Sequence, residues 1–330
     1  MKDLLFSIHT VCPMAILLLM GYVFRRKGLF SAEFVTNGNR FCFYVLLSCS
    51  LFKNLYDSAL SAFPVRMSLF TAAAILMEFA IAVLLAKRIS YTKRQQGVIV
   101  QGSFRSNFAY VGIPLSTMMF GDEVLSAAAR NEISMLSVIV IPMFNILSVF
   151  ALTYMNETEG ASDLWKSTFR RLRTNPCILS VLSGMAVLLL RVLFPSVSFF
   201  VRDQLNSVYK VISYLANMST PFALLLVGAN LNITDTRNNA KILCRSVLLK
   251  DVLFPGAVLM AAVLLGGFSQ VDYAVMISAF AAPTAVGSAI MATELKGDGE
   301  LASGIVVYTT LFSILSLTFI IYLMRVAGFL

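Results

Sequence analysis

The feature that most constrains this chain is a succession of apolar runs, each about as long as a membrane is thick and each bounded by charged or turn-forming residues. They fall near residues 4–24, 39–57, 66–86, 97–119, 124–154, 177–194, 205–231, 242–266, 271–294 and 301–324. A helix crossing roughly 30 Å of hydrocarbon needs about 20 largely apolar residues. The 330 residues are therefore used up by ten crossings and short loops. Hydrophobic residues make up 58% of the chain and charged ones 13%, against roughly 45–50% and about 25% in a soluble domain. The expected fold class is an all-α integral membrane protein of ten transmembrane helices.

Several function classes lose support at once. The five cysteines, Cys12, Cys42, Cys49, Cys177 and Cys244, lie in or beside apolar runs with no Cys-x-x-Cys spacing, and His9 is the only histidine. A structural zinc or iron–sulfur site is not expected. No phosphate-binding loop, His-Glu-x-x-His or Gly-x-Ser-x-Gly is present, so neither ATP-driven transport nor the usual hydrolase chemistries are indicated. The chain is expected not to be an enzyme and to carry no cofactor. The net charge of +9 belongs to helix ends rather than to one soluble face, which points away from nucleic acid. A cleaved signal peptide is the alternative for the first run, but only Lys2 charges its leading end. Arg25, Arg26 and Lys27 follow it where small residues would mark a cleavage site.

The charges also set an orientation. With the N-terminus outside, the inner loops gather sixteen of the 26 basic residues, among them Arg40, Lys87, Arg88, Arg94, Lys241 and Lys296. The outer ends gather eight. The positive-inside rule then puts both termini outside and makes residues 156–174 a central cytoplasmic loop. That loop divides two related halves, 1–155 and 175–330. Pro13 precedes Gly21 by eight residues in helix 1, and Pro176 precedes Gly184 by eight in helix 6. Gly121-Asp122 after helix 4 is echoed by Gly297-Asp298 after helix 9. Five helices per copy is an odd number, so the second copy enters the membrane upside down. Such a 5+5 inverted repeat is a common plan of secondary transporters, whose sites are built from interrupted helices near the midplane.

Helices 4 and 9 are the candidates for interruption. Helix 4 carries Arg105-Ser106-Asn107 and then Gly112-Ile113-Pro114 within an apolar run, and helix 9 carries Ala282-Pro283-Thr284-Ala285. Proline removes a donor and clashes with the preceding turn. A simple kink is the alternative, since Pro13, Pro142, Pro176, Pro221 and Pro255 occupy other helices. Arg105 is costly in hydrocarbon unless paired, hydrated or facing a cavity, and its planar fork suits a carboxylate. Snorkelling to the inner surface is the competing reading, because Arg94 lies only about 16 Å away at helical rise. Glu78 in helix 3 and Lys250-Asp251 in helix 8 occupy similar depths, with Lys53 near the end of helix 2. They form either a proton- or sodium-coupling site or a fixed ion pair of Glu78 with Lys53 or Lys250.

At these residues the sequence resembles the auxin efflux carrier family. The matching text is Phe104-Arg105-Ser106-Asn107 with Gly112-Ile113-Pro114-Leu115, Pro142-Met143-Phe144-Asn145, Asn175-Pro176 and Pro221 through Leu231. Ala282-Pro283 and Gly297-Asp298 through Ser303 complete it. The resemblance implies crossed, broken helices 4 and 9 in a transport domain that slides against a scaffold of helices 1, 2, 6 and 7. It implies small carboxylates as substrates, Asn107 as a substrate contact at the crossing, and Lys53 with Glu78 as a support pair. The plant carriers have a proline where this chain has Ser106, which predicts a looser crossing. Their long central loop is short here, which points to a bacterial inner-membrane member.

The expected function is a secondary carrier of a small organic anion working by an elevator-type alternation. The expected site is Arg105, Asn107, Gly112, Pro114, Asn145, Ala282, Pro283 and Thr284. A sodium-coupled symporter resembling the bile-acid family, or a channel or sensor without coupled transport, are the alternatives. The expected partners are the anion and the lipid bilayer, and a homodimer is the assembly to test for.

Overall fold

The computed structural model describes residues 2–57, 64–88, 92–156, 174–194, 206–231 and 239–330. It is 87% helical, and no strand occurs among the described residues. In chain order the helices are α1 (Lys2–Arg26), α2 (Ala32–Phe41 continuing through Cys42–Leu47 and Ser48–Tyr56), α3 (Val65–Arg88) and α4, which is split. Its first half, α4a, is Lys93–Phe104, and its second, α4b, is a π turn Phe108–Gly112 leading into Ile113–Met118. Then come α5 (Glu123–Asn156), α6 (Pro176–Leu193), α7 (Asn206–Asn230) and α8 (Ala240–Leu265). The ninth is split into α9a (Gln270–Met276 with Ile277–Ala281) and α9b (Gly287–Glu294), and α10 (Gly299–Val326) ends the chain.

Six of these, α3, α5, α6, α7, α8 and α10, are by themselves long and apolar enough to cross a membrane. The chain is an all-α membrane protein. Its outward surface agrees with lipid as solvent: Leu69, Leu84, Leu193 and Leu264 are each more than half exposed, a cost in water that hydrocarbon removes. The central loop at 156–174 lies almost wholly outside the described residues.

Most helix starts are written locally. Ser31 Oγ accepts from Phe34 N at 3.0 Å, and Asn175 Oδ1 accepts from Cys177 N and Ile178 N ahead of Pro176. Thr92 with Gln95 and Ser269 with Asp272 form reciprocal capping boxes, which satisfy otherwise orphaned N–H groups. Helix ends are closed from a distance by arginines. Arg66 donates to Gly267 O at 2.8 Å, Arg94 to Gly297 O at 2.9 Å, Arg191 to Tyr56 O at 2.6 Å and Arg325 to Met119 O at 2.7 Å. Tyr56 and Met119 stand at helix ends, whose carbonyls lack partners and carry partial negative charge, whereas Gly267 and Gly297 lie in the turns that follow α8 and α9b.

The predicted α2 begins late. The chain is already helical at Ala32, seven residues before the apolar run, because Ala32–Phe41 is amphipathic and buries only one side. Around the breaks, α3, α4, α5, α8, α9 and α10 pack together, while α2 rests on α6 and α7 and α1 rests on both α7 and α10. The α1–α7 contact is the closest. A Cβ at Gly21 would collide with the carbonyl oxygen of Leu225, and one at Gly228 with that of Leu18. Only glycine lets the two backbones approach this far.

Candidate functional site

Both predicted breaks are present, and they cross each other. Arg105 leaves the helical region with φ −77° and ψ 108°, and Ala282 with φ −62° and ψ 144°. The two stretches meet as a short antiparallel bridge, Ser106 opposite Thr284. Asn107 N donates to Pro283 O at 2.7 Å, and Ala285 N donates to Arg105 O at 3.2 Å. Interrupting a helix in hydrocarbon leaves backbone groups that must find partners within the protein. Here each broken helix supplies them to the other. Proline suits its position, since it brings no N–H needing an acceptor.

Side chains finish the accounting. Thr284 Oγ1 donates to Gly102 O at 2.7 Å, and Thr309 Oγ1 accepts from Thr284 N at 3.2 Å. Lys250, wholly buried in a π turn of α8, donates from Nζ to Phe280 O at 3.0 Å and so caps the end of α9a. Ser106 adds a side-chain bond to the crossing. Its Oγ donates to Ala282 O at 3.2 Å, a bond that a proline at that position lacks.

Against the crossing lies a cavity of about 60 Å³, room for a few water molecules or a small solute. Arg105, Ser106 and Asn107 line it from the α4 break, and Ile141, Phe144 and Asn145 from α5. Ala285, Val286 and Gly287 line it where α9b begins. The far wall is Leu47, Ser50, Leu51 and Asn54 of α2 with Ser219, Thr220 and Ala223 of α7. The cavity therefore separates the crossing from the α2–α7 pair.

Arg105 does not snorkel. It is 5% exposed, and its Nη2 donates to Asn145 Oδ1 at 2.8 Å. In the Gln101 amide orientation that satisfies both its atoms, Nη1 donates to Gln101 Oε1 at 3.2 Å. No carboxylate lies within ion-pair distance of Arg105 among the described residues. Asn107 Nδ2 and Ser219 Oγ, on opposite walls, are buried without a hydrogen-bond partner. A buried cation without a counter-charge and buried donors without acceptors are each costly. An anion in the cavity would supply the counter-charge that Arg105 lacks.

Of the expected site residues, Arg105, Asn107 and Asn145 come together on the cavity wall. Ala282, Pro283 and Thr284 build the crossing behind it and do not line it. Gly112 packs on the Ser278 carbonyl of α9a, and Pro114 is described only as the second residue of Ile113–Met118. The polar wall from α2 and α7 was missed. Its signal was small polar residues recurring on one helix face, as Ser50 and Asn54 do four apart.

The charged group needs correction. Lys53 does not pair with Glu78. It forms a salt bridge with Asp57 at 2.8 Å on a partly exposed helix end, where Tyr209 also donates to Asp57. The i,i+4 spacing brings Lys53 and Asp57 onto one face. Glu78 and Asp251 are buried, and none of their carboxylate oxygens has a hydrogen-bond partner, so the expected Glu78–Lys250 contact pair is not formed either. Lys250 is directed instead to the Phe280 carbonyl.

No individual curated protein matches the chain. A family model described as membrane transport protein matches residues 6–321. The match takes in both breaks, the cavity walls and nearly every described helix, and the chain belongs to this family, that of the auxin efflux carriers and related membrane transport proteins.

Proposed function

We propose that this transporter is a secondary carrier of a small organic anion, binding its carboxylate at Arg105 and Asn107. The observation that carries the reading is Arg105, a buried guanidinium with no carboxylate in reach among the described residues, on the wall of a small, mainly apolar cavity at the crossing of two broken helices. A planar fork matches a carboxylate. The start of α9b, where Gly287 lines the cavity, adds partial positive charge on the same side.

In this reading the chain crosses the membrane ten times as two inverted halves, 1–155 and 175–330, joined by an inner loop. Both termini lie outside the inner membrane of a bacterium. The cavity wall shared between the crossing and α2–α7 suits an elevator in which α3, α4, α5, α8, α9 and α10 slide against α1, α2, α6 and α7. Cavity size favours a short mono- or dicarboxylate. Glu78 and Asp251, buried beside Lys250, are the candidates for taking up a coupling proton or sodium ion.

The deciding experiment is counterflow in proteoliposomes with radiolabelled short carboxylates. Saturable exchange by the native chain is expected, falling by roughly thirtyfold or more in Arg105→Ala, because removing one partner of a buried charge contact costs ~2–5 kcal/mol. Conductance without counterflow, or uptake unchanged in a folded Arg105→Ala protein, rejects the reading. Omitting sodium while keeping a pH gradient separates the two coupling ions.

A further inference from the structure

Three ionisable side chains are buried midway along the membrane helices, and none of them lines the cavity. Lys250 and Asp251 are consecutive residues of α8, each 0% exposed, and Glu78 of α3 is 1% exposed. A π turn, Leu249–Leu253, carries the α8 pair, and such bulges collect at functional positions. Both carboxyls are close enough to act on the Lys250 charge. We infer that the Lys250 ammonium is a tethered cation that takes the place of a coupling sodium ion, leaving a proton as the ion that Glu78 and Asp251 exchange. The inference rests on the carrier reading and narrows its choice of coupling ion.

The place of Nζ carries the assignment. It donates to Phe280 O at 3.0 Å, beside the C-terminal end of the half-helix α9a, which closes at Ala281. Carriers that couple to sodium coordinate it with such half-helix ends and unwound carbonyls, whose free oxygens hold partial negative charge. Here the chain brings its own cation to that oxygen. The four carboxylate oxygens of Glu78 and Asp251 have no hydrogen-bond partner, and neither group is within ion-pair distance of Lys250. With both ionised, two negative charges face one ammonium in apolar surroundings, which is costly. A sodium ion could balance the excess, but it needs a shell of oxygens and would crowd the ammonium on the same carbonyl. A proton on either carboxyl needs no shell.

No other charge shares this depth on the helices packed around the group. Those of α3, α4a, α9a and α10 stand at helix ends: Arg66, Lys87 and Arg88, then Lys93 and Arg94, then Asp272, then Glu300 and Arg325. Helix α5 is charged only at Glu123, Arg130 and Glu132, within its first three turns, and α8 otherwise only at Lys241 and Arg245 near its start. The buried Tyr273 of α9a packs on Phe329. Arg105 is turned to Asn145 and the cavity.

Thermal melts of the full chain in detergent test this without any substrate. The native chain should melt at the same temperature in sodium chloride and in choline chloride of equal strength. Lys250→Ala vacates the place, so sodium should raise its melting temperature over choline by roughly 2–4 °C or more. Lys250→Gln, which keeps a donor for the Phe280 carbonyl without the charge, should gain from sodium as well and serves if Lys250→Ala does not fold. Lys250→Arg keeps a tethered cation and should stay indifferent. Counterflow by the native chain should be unchanged when choline replaces sodium. Sodium stabilisation of the native chain, counterflow lost in choline, or a folded Lys250→Ala or Lys250→Gln indifferent to sodium would overturn the inference. A sodium-dependent native melt leaves the carrier reading standing with sodium as its ion, and if counterflow itself fails, the melts still judge Lys250.

Discussion

The cost of burying Arg105 is met by Asn145 and Gln101 on one side and left to the cavity on the other. Asn107 supplies the neighbouring donor, with Nδ2 unpartnered. Asn107→Ala should raise KM for the anion about tenfold, from losing a hydrogen bond to a charged group worth ~1.5–3 kcal/mol. Asn107→Asp should abolish uptake by placing a like charge in the site, and equal uptake by both variants would remove Asn107 as a contact. Lys250 is a different case. Lys250→Met keeps most of its bulk but strands the Phe280 carbonyl, so the melting transition in detergent should drop by the equivalent of ~1–3 kcal/mol. At this scale the sequence was legible where a charge interrupts an apolar run, as Arg105 does. Lys53 was misread because depth in the membrane does not say which way a side chain points, and Asp57 stood one turn away.

Among the elements, the crossing was readable as two breaks but not as a pairing. Pro283 and Asn107 each signal an interruption locally, whereas the register that puts Ser106 opposite Thr284 joins residues far apart in the chain. The caps were legible because Thr92-Gln95 and Ser269-Asp272 state their geometry within four residues. The α1–α7 contact was not, although Gly21 and Gly228 carry it. Gly228→Val should push α7 off α1 and lower stability by ~1–3 kcal/mol or more, as overpacking does. Size-exclusion profiles and thermal melts of Gly228→Ala and Gly228→Val should worsen in that order. A native-like melt for Gly228→Val would show that the two helices need not touch.

For the whole molecule, composition and spacing revealed the membrane class, and the outward leucines agree with it. Which helices face each other across the cavity was hidden, because polar wall residues such as Ser50, Asn54 and Ser219 mark a helix face without saying which helix stands opposite. The elevator reading predicts that these walls part during transport. With the native cysteines replaced, the pair Ser50→Cys and Gly287→Cys, both on the cavity wall, should be bridged by mercuric ion. Counterflow should then stop until a thiol is added, whereas undiminished exchange in the bridged protein would show that α2 and α9b move as one. Orientation has its own test. Alkaline phosphatase fused after Leu330 should be active and green fluorescent protein at the same place dark, and the reverse pattern would invert the topology.

The bridge between Ser106 and Thr284 also bears on how the chain is made. Synthesis delivers the α4 break to the membrane long before the ribosome reaches Pro283, whose carbonyl is the acceptor for Asn107 N. Until then the interrupted backbone of the first half has no mate in an apolar solvent, a condition worth several kcal/mol per group. The nascent chain must keep that segment near water, the translocon or a lipid headgroup. The crossing is thus closed last, by one of the final helices to be inserted.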